Sequence, residues 1–143
     1  MTNNSDWFDA RPGEHCLIRV PAADTNGAYS IVEIVSDPLD GTPMHIHQNE
    51  DECIFVLEGM ARLAYGDLII DATAGESIML KRGIPHAWCN PSDSPLHMMI
   101  VCTPGGIEEA LRIVSRGGDI DLTALGQRFG VRIIGPGILE PAP

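Results

Sequence analysis

The 143-residue chain has few basic residues, few aromatic residues and no long apolar run. Nine lysines and arginines stand against 20 aspartates and glutamates, which gives a formal net charge of -11. A surface of that charge repels phosphate backbones and anionic lipid headgroups, so we expect no nucleic acid and no membrane surface as a partner. No apolar run approaches the roughly 18 residues that a membrane-spanning helix needs.

The chain also lacks any Cys-x-x-Cys pair. Its four cysteines lie far apart, mostly within apolar stretches, at Cys16, Cys53, Cys89 and Cys102. This distribution predicts reduced thiols in a protein core. Segment 1–14 is polar and has neither the basic start nor the apolar stretch of a secretory signal, so we expect a cytoplasmic location.

Short apolar runs separated by turns make up most of the sequence, with 15 glycines and 11 prolines scattered among them. A chain of this length fits one domain, which we place at residues 1–143. Runs rich in β-branched residues predict strands at 15–20, 29–36, 44–47, 53–57, 60–65, 68–70, 77–80, 86–90, 96–102 and 131–134. Gly66-Asp67 predicts a two-residue hairpin turn.

The periodicity changes after Gly106, where apolar residues recur at helical spacing as far as Gly117. A second short helix is predicted between Asp121 as N-cap and Gly130 as terminator. The sequence therefore predicts an all-β fold, a closed barrel over about 15–103 followed by a helical appendage over about 105–130.

Four residues with metal-binding side chains stand out. His45 and His47 are two positions apart, and on a strand that spacing points both imidazoles to one face. Glu52 follows after a polar stretch, and His86 opens a later strand. Three imidazoles and one carboxylate suit a divalent transition metal better than calcium or magnesium. An octahedral ion held by four protein ligands keeps two open positions, as a catalytic site requires.

The spacing of these residues resembles the two sequence motifs of the cupin family. The first motif reads His45-Ile46-His47, four residues, Glu52, six residues and Gly59. The second reads Gly75, five residues, Lys81-Arg82-Gly83, two residues, His86, three residues and Asn90. The chain departs from the family at Leu39, where the family has glycine, and at Lys81, where it has proline.

The resemblance implies a double-stranded β-helix, a jelly-roll barrel with one metal ion in its open end. It implies His45, His47, Glu52 and His86 as the ligands, and iron ahead of manganese, nickel, cobalt, copper or zinc. Small single-domain cupins include proteins similar to quercetin dioxygenases. The leading hypothesis is therefore a dioxygenase-type oxidoreductase acting on a small phenolic or enolic substrate chelated to the metal, with Glu52 as catalytic base.

Two other functions stay open at this point. The metal could act as a Lewis acid in a non-redox isomerase, decarboxylase or hydrolase. Alternatively, the protein could hold a small ligand without turnover, since a fold does not fix a reaction. A homodimer is expected, because cupin barrels commonly pair through strands or sheet edges.

Strand parity predicts which side chains share the cavity with the metal. Ile54 and Val56 have the parity of Glu52, and Trp88 has the parity of His86, although Trp88 could equally be core. One face of the run 96–102 must look into the barrel. If that face is the one with His97 and Met99, a further imidazole lies near the metal; otherwise His97 is exposed. Glu50 and Asp51 are expected to stay solvated.

Overall fold

The computed structural model describes residues 6–139, which form two antiparallel sheets and two short helices. The strands in chain order are β1 (Phe8–Arg11), β2 (Glu14–Val20), β3 (Ser30–Ser36), β4 (Met44–His47), β5 (Asp51–Glu58), β6 (Met60–Tyr65), β7 (Leu68–Thr73), β8 (Ser77–Leu80), β9 (His86–Cys89), β10 (Leu96–Thr103) and β11 (Val131–Gly135). Helix α1 spans Glu108–Ser115 and helix α2 spans Leu122–Phe129. A turn of 3-10 helix at Ala22–Thr25 joins β2 to β3.

The strands form the double-stranded β-helix that the motif resemblance implied. One sheet has the order β1-β2-β3-β10-β5-β8 and the other β11-β4-β9-β6-β7. Side chains from the inner faces make one core, and rows of directly paired residues cross the six-stranded sheet. One such row consists of Ile18, Val32, Ile100, Ile54 and Ile78.

Several local predictions are confirmed. Tyr65 pairs with Leu68 across Gly66-Asp67, so the turn between β6 and β7 has two residues. The Asp121 carboxylate accepts a hydrogen bond from the backbone N–H of Ala124 at 3.0 Å, as an N-cap does. Helix α2 then ends at Gly130 in the left-handed conformation.

The sheet begins earlier than the sequence predicted. Strand β1 lies before residue 15, where we placed the start of the barrel, and it pairs with β2 through Phe8 and Cys16. The polar composition of segment 1–14 hid this strand, although Phe8 and Ala10 both pack inward. The single-domain organisation of residues 1–143 stays a prediction, because residues 1–5 and 140–143 lie outside the described part.

All four cysteines are free, three of them buried and Cys53 partly so. Neither helix within residues 6–139 has the length and apolarity of a membrane-spanning segment. Phe55, Leu57 and Met79 are exposed on the outer face of the six-stranded sheet. The predicted homodimer and the cytoplasmic location stay predictions.

Leu39, which stands where the cupin motif has glycine, has a backbone conformation that favours glycine. Its φ is 65°, in the left-handed region, and its side chain is 69 % exposed. For a residue with a Cβ that conformation costs roughly 1–2 kcal/mol, and an exposed leucine recovers little of the cost through packing.

We predict that Leu39→Gly raises the free energy of unfolding by up to about 1 kcal/mol, since relief of backbone strain exceeds the entropy that glycine adds to the unfolded chain. Urea unfolding followed by circular dichroism measures the change. Leu68→Gly is the matched control: Leu68 is 60 % exposed but lies in β7, so glycine there should destabilise the protein. Equal effects at both sites would contradict the strain argument.

Candidate metal centre

The three motif histidines meet on the inner wall of the five-stranded sheet. His45 and His47 lie on β4, and His45 pairs directly with His86 on β9. The ring centroids are 4.5 Å apart for His45 and His86, 5.0 Å for His45 and His47, and 5.3 Å for His47 and His86. One ligand atom from each ring lies within 4.8 Å of the other two, as around a common ion.

Glu52 reaches the same point from the opposite sheet, at the start of β5. Its Oε1 lies 3.2 Å from Nε2 of His47, and its Oε2 lies 3.4 Å from Nε2 of His86. The structure therefore brings together all four residues that the sequence grouped. The five-stranded sheet contributes the three histidines, and the six-stranded sheet contributes Glu52.

The other nitrogen of each ring is held by a neighbour. Nδ1 of His45 lies 2.7 Å from the carbonyl of Pro43, and Nδ1 of His86 lies 3.3 Å from the carbonyl of Ile84. Nδ1 of His47 lies 2.5 Å from a carboxylate oxygen of Glu50. These contacts fix the ring orientations and direct the three Nε2 atoms toward one another.

The donor set fits a divalent transition metal. Nε2 of His86 is buried and makes no hydrogen bond of good geometry, since its nearest carboxylate oxygen, Oε2 of Glu52, lies 3.4 Å away; a buried nitrogen in that position is costly unless something else binds it. An ion between the three Nε2 atoms and Glu52 supplies that partner. Neutral imidazoles and one carboxylate are the ligands such ions prefer.

Burial and charge set the protonation states of the site. Burial, together with the nearby imidazole of His86, lowers the pKa of His45 to about 4, so this ring is neutral at pH 7. Burial by itself would raise the pKa of Glu52, but contacts with His86 and His47 outweigh it and lower the pKa to about 2. Burial likewise opposes the shift at His47, where the Glu50 and Glu52 carboxylates raise the pKa.

Ile54, Val56 and Trp88 are buried and belong to the apolar core. Ile54 and Val56 point inward along β5 from Glu52, and Trp88 lies two residues beyond His86 on β9. Their parity is the one we predicted. Their role as pocket residues remains a prediction.

His97 and Met99, which we named as pocket residues on one of the two faces left open for this strand, do not face the cavity. Strand β10 buries alternate residues, and the inward set contains Met98 and Ile100, which pair with inward residues of β3 and β5. On the outer face, Nε2 of His97 lies 2.6 Å from a carboxylate oxygen of Glu33. Both faces of this strand are apolar in sequence, so alternation gave no indication of the correct face.

Glu50 is also placed differently from our prediction. Its side chain is buried against His47 rather than solvated. Asp51 does reach the surface, where its carboxylate accepts hydrogen bonds from the Arg82 guanidinium at 3.2 and 3.3 Å. The stretch before Glu52 is polar throughout, which predicts uniform exposure. Nothing in the sequence shows that Glu50 turns inward to contact the nearby His47.

Cross-strand pairing brings further residues to the site that the sequence analysis missed. Tyr65 on β6 pairs with His86, and Cys102 on β10 pairs with Glu52. Val131 and Ile133 on β11 pair with the two histidines of β4, so they lie on the same side of the sheet as those histidines, with Ile133 60 % exposed at the sheet edge. The pairing of β11 with β4 is a long-range contact for which the sequence holds no local signal.

The family described as the cupin domain matches residues 33–102, a segment that contains all four site residues. Residues 33–102 are a cupin domain. A search of curated proteins gave no match to this cupin.

Solved structures share the fold of this cupin. KdgF from Halomonas sp. is 15 % identical with a TM-score of 0.66, over 76 % of this chain and 96 % of that one. A cupin sugar phosphate isomerase from Silicibacter pomeroyi is 22 % identical with a TM-score of 0.56, over 66 % and 61 %. A variant of Bacillus subtilis oxalate decarboxylase is 20 % identical with a TM-score of 0.58, over 66 % and 26 %. At these identities the likeness establishes the fold.

We predict that Glu52→Gln changes how stability depends on pH in the metal-free protein. The pKa of Glu52 lies near 2 when folded and near 4.5 when exposed, so its ionised form stabilises the fold above pH 4.5. That stabilisation, on the order of 3 kcal/mol, is lost as the pH falls toward 2.

Urea unfolding at pH 7, 4.5 and 3 measures this effect. The stability difference between wild type and Glu52→Gln should shrink as the pH falls. The control is Glu109→Gln, because Glu109 is exposed on α1 and its removal should leave the wild-type pH dependence in place. If the stability difference between wild type and Glu52→Gln stays constant over this pH range, the contacts with the histidines do not lower the pKa of Glu52.

Proposed function

We propose that this cupin is a metal-dependent enzyme that acts on a small oxygen-bearing substrate, with dioxygenase-type oxidation of a phenolic or enolic compound as its leading reaction. One observation supports the proposal most. Three histidine Nε2 atoms and the Glu52 carboxylate converge in a buried space between the two sheets, and one of those nitrogens has no hydrogen-bond partner.

His45, His47, His86 and Glu52 would hold the ion. Iron is our first choice, with manganese, nickel, cobalt, copper and zinc also compatible with the donor set. When bound, such an ion supplies Lewis acidity and, if it is iron, one-electron chemistry with dioxygen. Four protein ligands would leave two of six octahedral positions, enough either for a chelating substrate or for one substrate oxygen and dioxygen.

Glu52 is the residue best suited to move a proton. Its low pKa keeps it ionised at neutral pH, and its two oxygens lie beside Nε2 of His47 and of His86. A substrate hydroxyl that comes within hydrogen-bond distance of a Glu52 oxygen can give its proton to this carboxylate. Inward side chains such as Ile54 exclude water around the site, which strengthens its electrostatic interactions.

We predict that His86→Ala abolishes stoichiometric metal binding, because it removes the ligand that comes from β9. Elemental analysis of untagged protein, purified without added metal, measures the content. Added Mn²⁺ should raise the thermal midpoint of the wild type, with a stabilisation near 2.7 kcal/mol at a concentration 100 times the dissociation constant, but not that of His86→Ala.

His15→Ala is the matched control for metal content. The His15 ring lies on the outer surface between Asp9 and Asp37, at 2.6 and 3.0 Å, and takes no part in the candidate centre. This variant should bind metal like the wild type. Full metal content in His86→Ala would end the assignment of the centre to these residues.

The reaction type is tested by oxygen consumption. Iron-loaded protein is mixed anaerobically with a panel of phenolic and enolic chelators, and oxygen is then admitted at an electrode. We predict uptake with at least one compound, its loss in Glu52→Gln, and its loss when zinc replaces iron. Turnover that survives zinc substitution without oxygen uptake would instead indicate Lewis-acid isomerisation, decarboxylation or hydrolysis. A chelator recovered unchanged would indicate a binding protein.

A further inference from the structure

We propose that Glu50 is a positioning residue for the metal ligand His47, and that its carboxylate supplies a second negative charge to the metal centre. The inference rests on the metal centre of the proposed function and goes beyond it. Glu50 lies outside the four ligands, two residues before Glu52, and touches the centre only through the His47 ring.

The contact between Glu50 and His47 is short and shielded from solvent. Oε1 of Glu50 lies 2.5 Å from Nδ1 of His47, and both residues are about 95 % buried. Among the hydrogen bonds of the described residues, this is the one that Glu50 makes. The neighbouring cation Arg82 is taken by Asp51. Within residues 6–139 the Glu50 carboxylate therefore hydrogen-bonds the His47 ring and no other side chain.

The chain places Glu50 by anchoring the loop between β4 and β5. The backbone N–H of Gln48 donates to the carbonyl of Gly130 at 2.8 Å, and the Asn49 amide donates to the carbonyl of Phe129 at 3.5 Å. The loop thus rests on the end of α2. With Gln48 and Asn49 held there, Glu50 turns inward toward His47.

His47 differs from the other two histidines in the charge of its partner. Nδ1 of His45 and of His86 face neutral backbone carbonyls, whereas Nδ1 of His47 faces a carboxylate. When Nε2 binds an ion, the ring's one N–H proton is on Nδ1, so Nδ1 donates and Glu50 accepts. A carboxylate acceptor fixes the ring and makes Nε2 a stronger donor to the metal.

With an ion bound, the charges of the centre would balance. Glu52 would contribute one negative charge directly and Glu50 one through His47, and together they would match a divalent ion at a buried position. Unbalanced charge in such surroundings is expensive. The same charge favours the ferric state over the ferrous state, so its removal should raise the midpoint potential of bound iron.

Glu50→Gln and Glu50→Ala test the proposal, with Asp51→Asn as the matched control on the neighbouring residue. Glutamine keeps the shape and an oxygen acceptor but removes the charge; alanine removes both. Three quantities are measured for each protein: the Mn²⁺ dissociation constant by competition with a chelator, the visible absorption of the Co²⁺ form, and the midpoint potential of bound iron.

We expect Glu50→Ala to weaken metal binding about 10- to 100-fold, and Glu50→Gln to weaken it less while raising the midpoint potential. The Co²⁺ spectrum should change in both, and Asp51→Asn should match the wild type in all three measurements. Circular dichroism of the metal-free proteins checks folding. If Glu50→Ala does not fold, the near-isosteric Glu50→Gln decides the question through its potential and dissociation constant.

The outcomes separate this inference from the proposed function. Wild-type protein that binds no metal would overturn the metal centre itself. Wild-type protein that binds metal, with Glu50→Gln showing the same dissociation constant, Co²⁺ spectrum and potential, would overturn only the role of Glu50. A lower thermal midpoint in the metal-free variants with all three metal readouts unchanged would likewise assign Glu50 to the fold alone.

Discussion

The site depends on one backbone pairing, between β4 and β9. Antiparallel pairing puts directly opposed residues on the same face of a sheet, and here the opposed residues are His45 and His86. Alternation along β4 then adds His47 to that face. With three imidazoles fixed on one wall by strand geometry, the opposite sheet needs to contribute only Glu52 to complete the set.

Burying so many nitrogen and oxygen atoms is unfavourable unless each has a partner, and the structure shows how most are satisfied. The Nδ1 atoms find carbonyl or carboxylate oxygens, while the Nε2 atoms and Glu52 share the space between the sheets. Within the metal centre the exception is Nε2 of His86, which makes no hydrogen bond. The polar interior of this barrel is thus organised around a point between the three histidines and Glu52, where a bound ion would give Nε2 of His86 its missing partner.

Much of this arrangement could be predicted from local sequence, because each step depends on spacing within a single strand or turn. The pair at His45 and His47, the cap at Asp121 and the hairpin after Tyr65 are all of this kind. The failures have a different physical origin. The inward face of β10, which the sequence left open, depends on the neighbours of that strand. The burial of Glu50 depends on the long-range contacts that hold its loop against the end of α2. Phe8 gains its inward place from pairing with β2.

Strand β11, near the end of the described chain, pairs with β4, the strand that carries His45 and His47. Strand β11 forms the border of the five-stranded sheet and covers the hydrogen-bonding side of β4 that β9 leaves open. Shortening the protein to residue 130 would turn β4 into an open border with unmatched N–H and C=O groups. Because β4 carries two of the histidines, pairing of this exposed edge with another chain would disturb the metal site, so self-association and loss of the site would occur together.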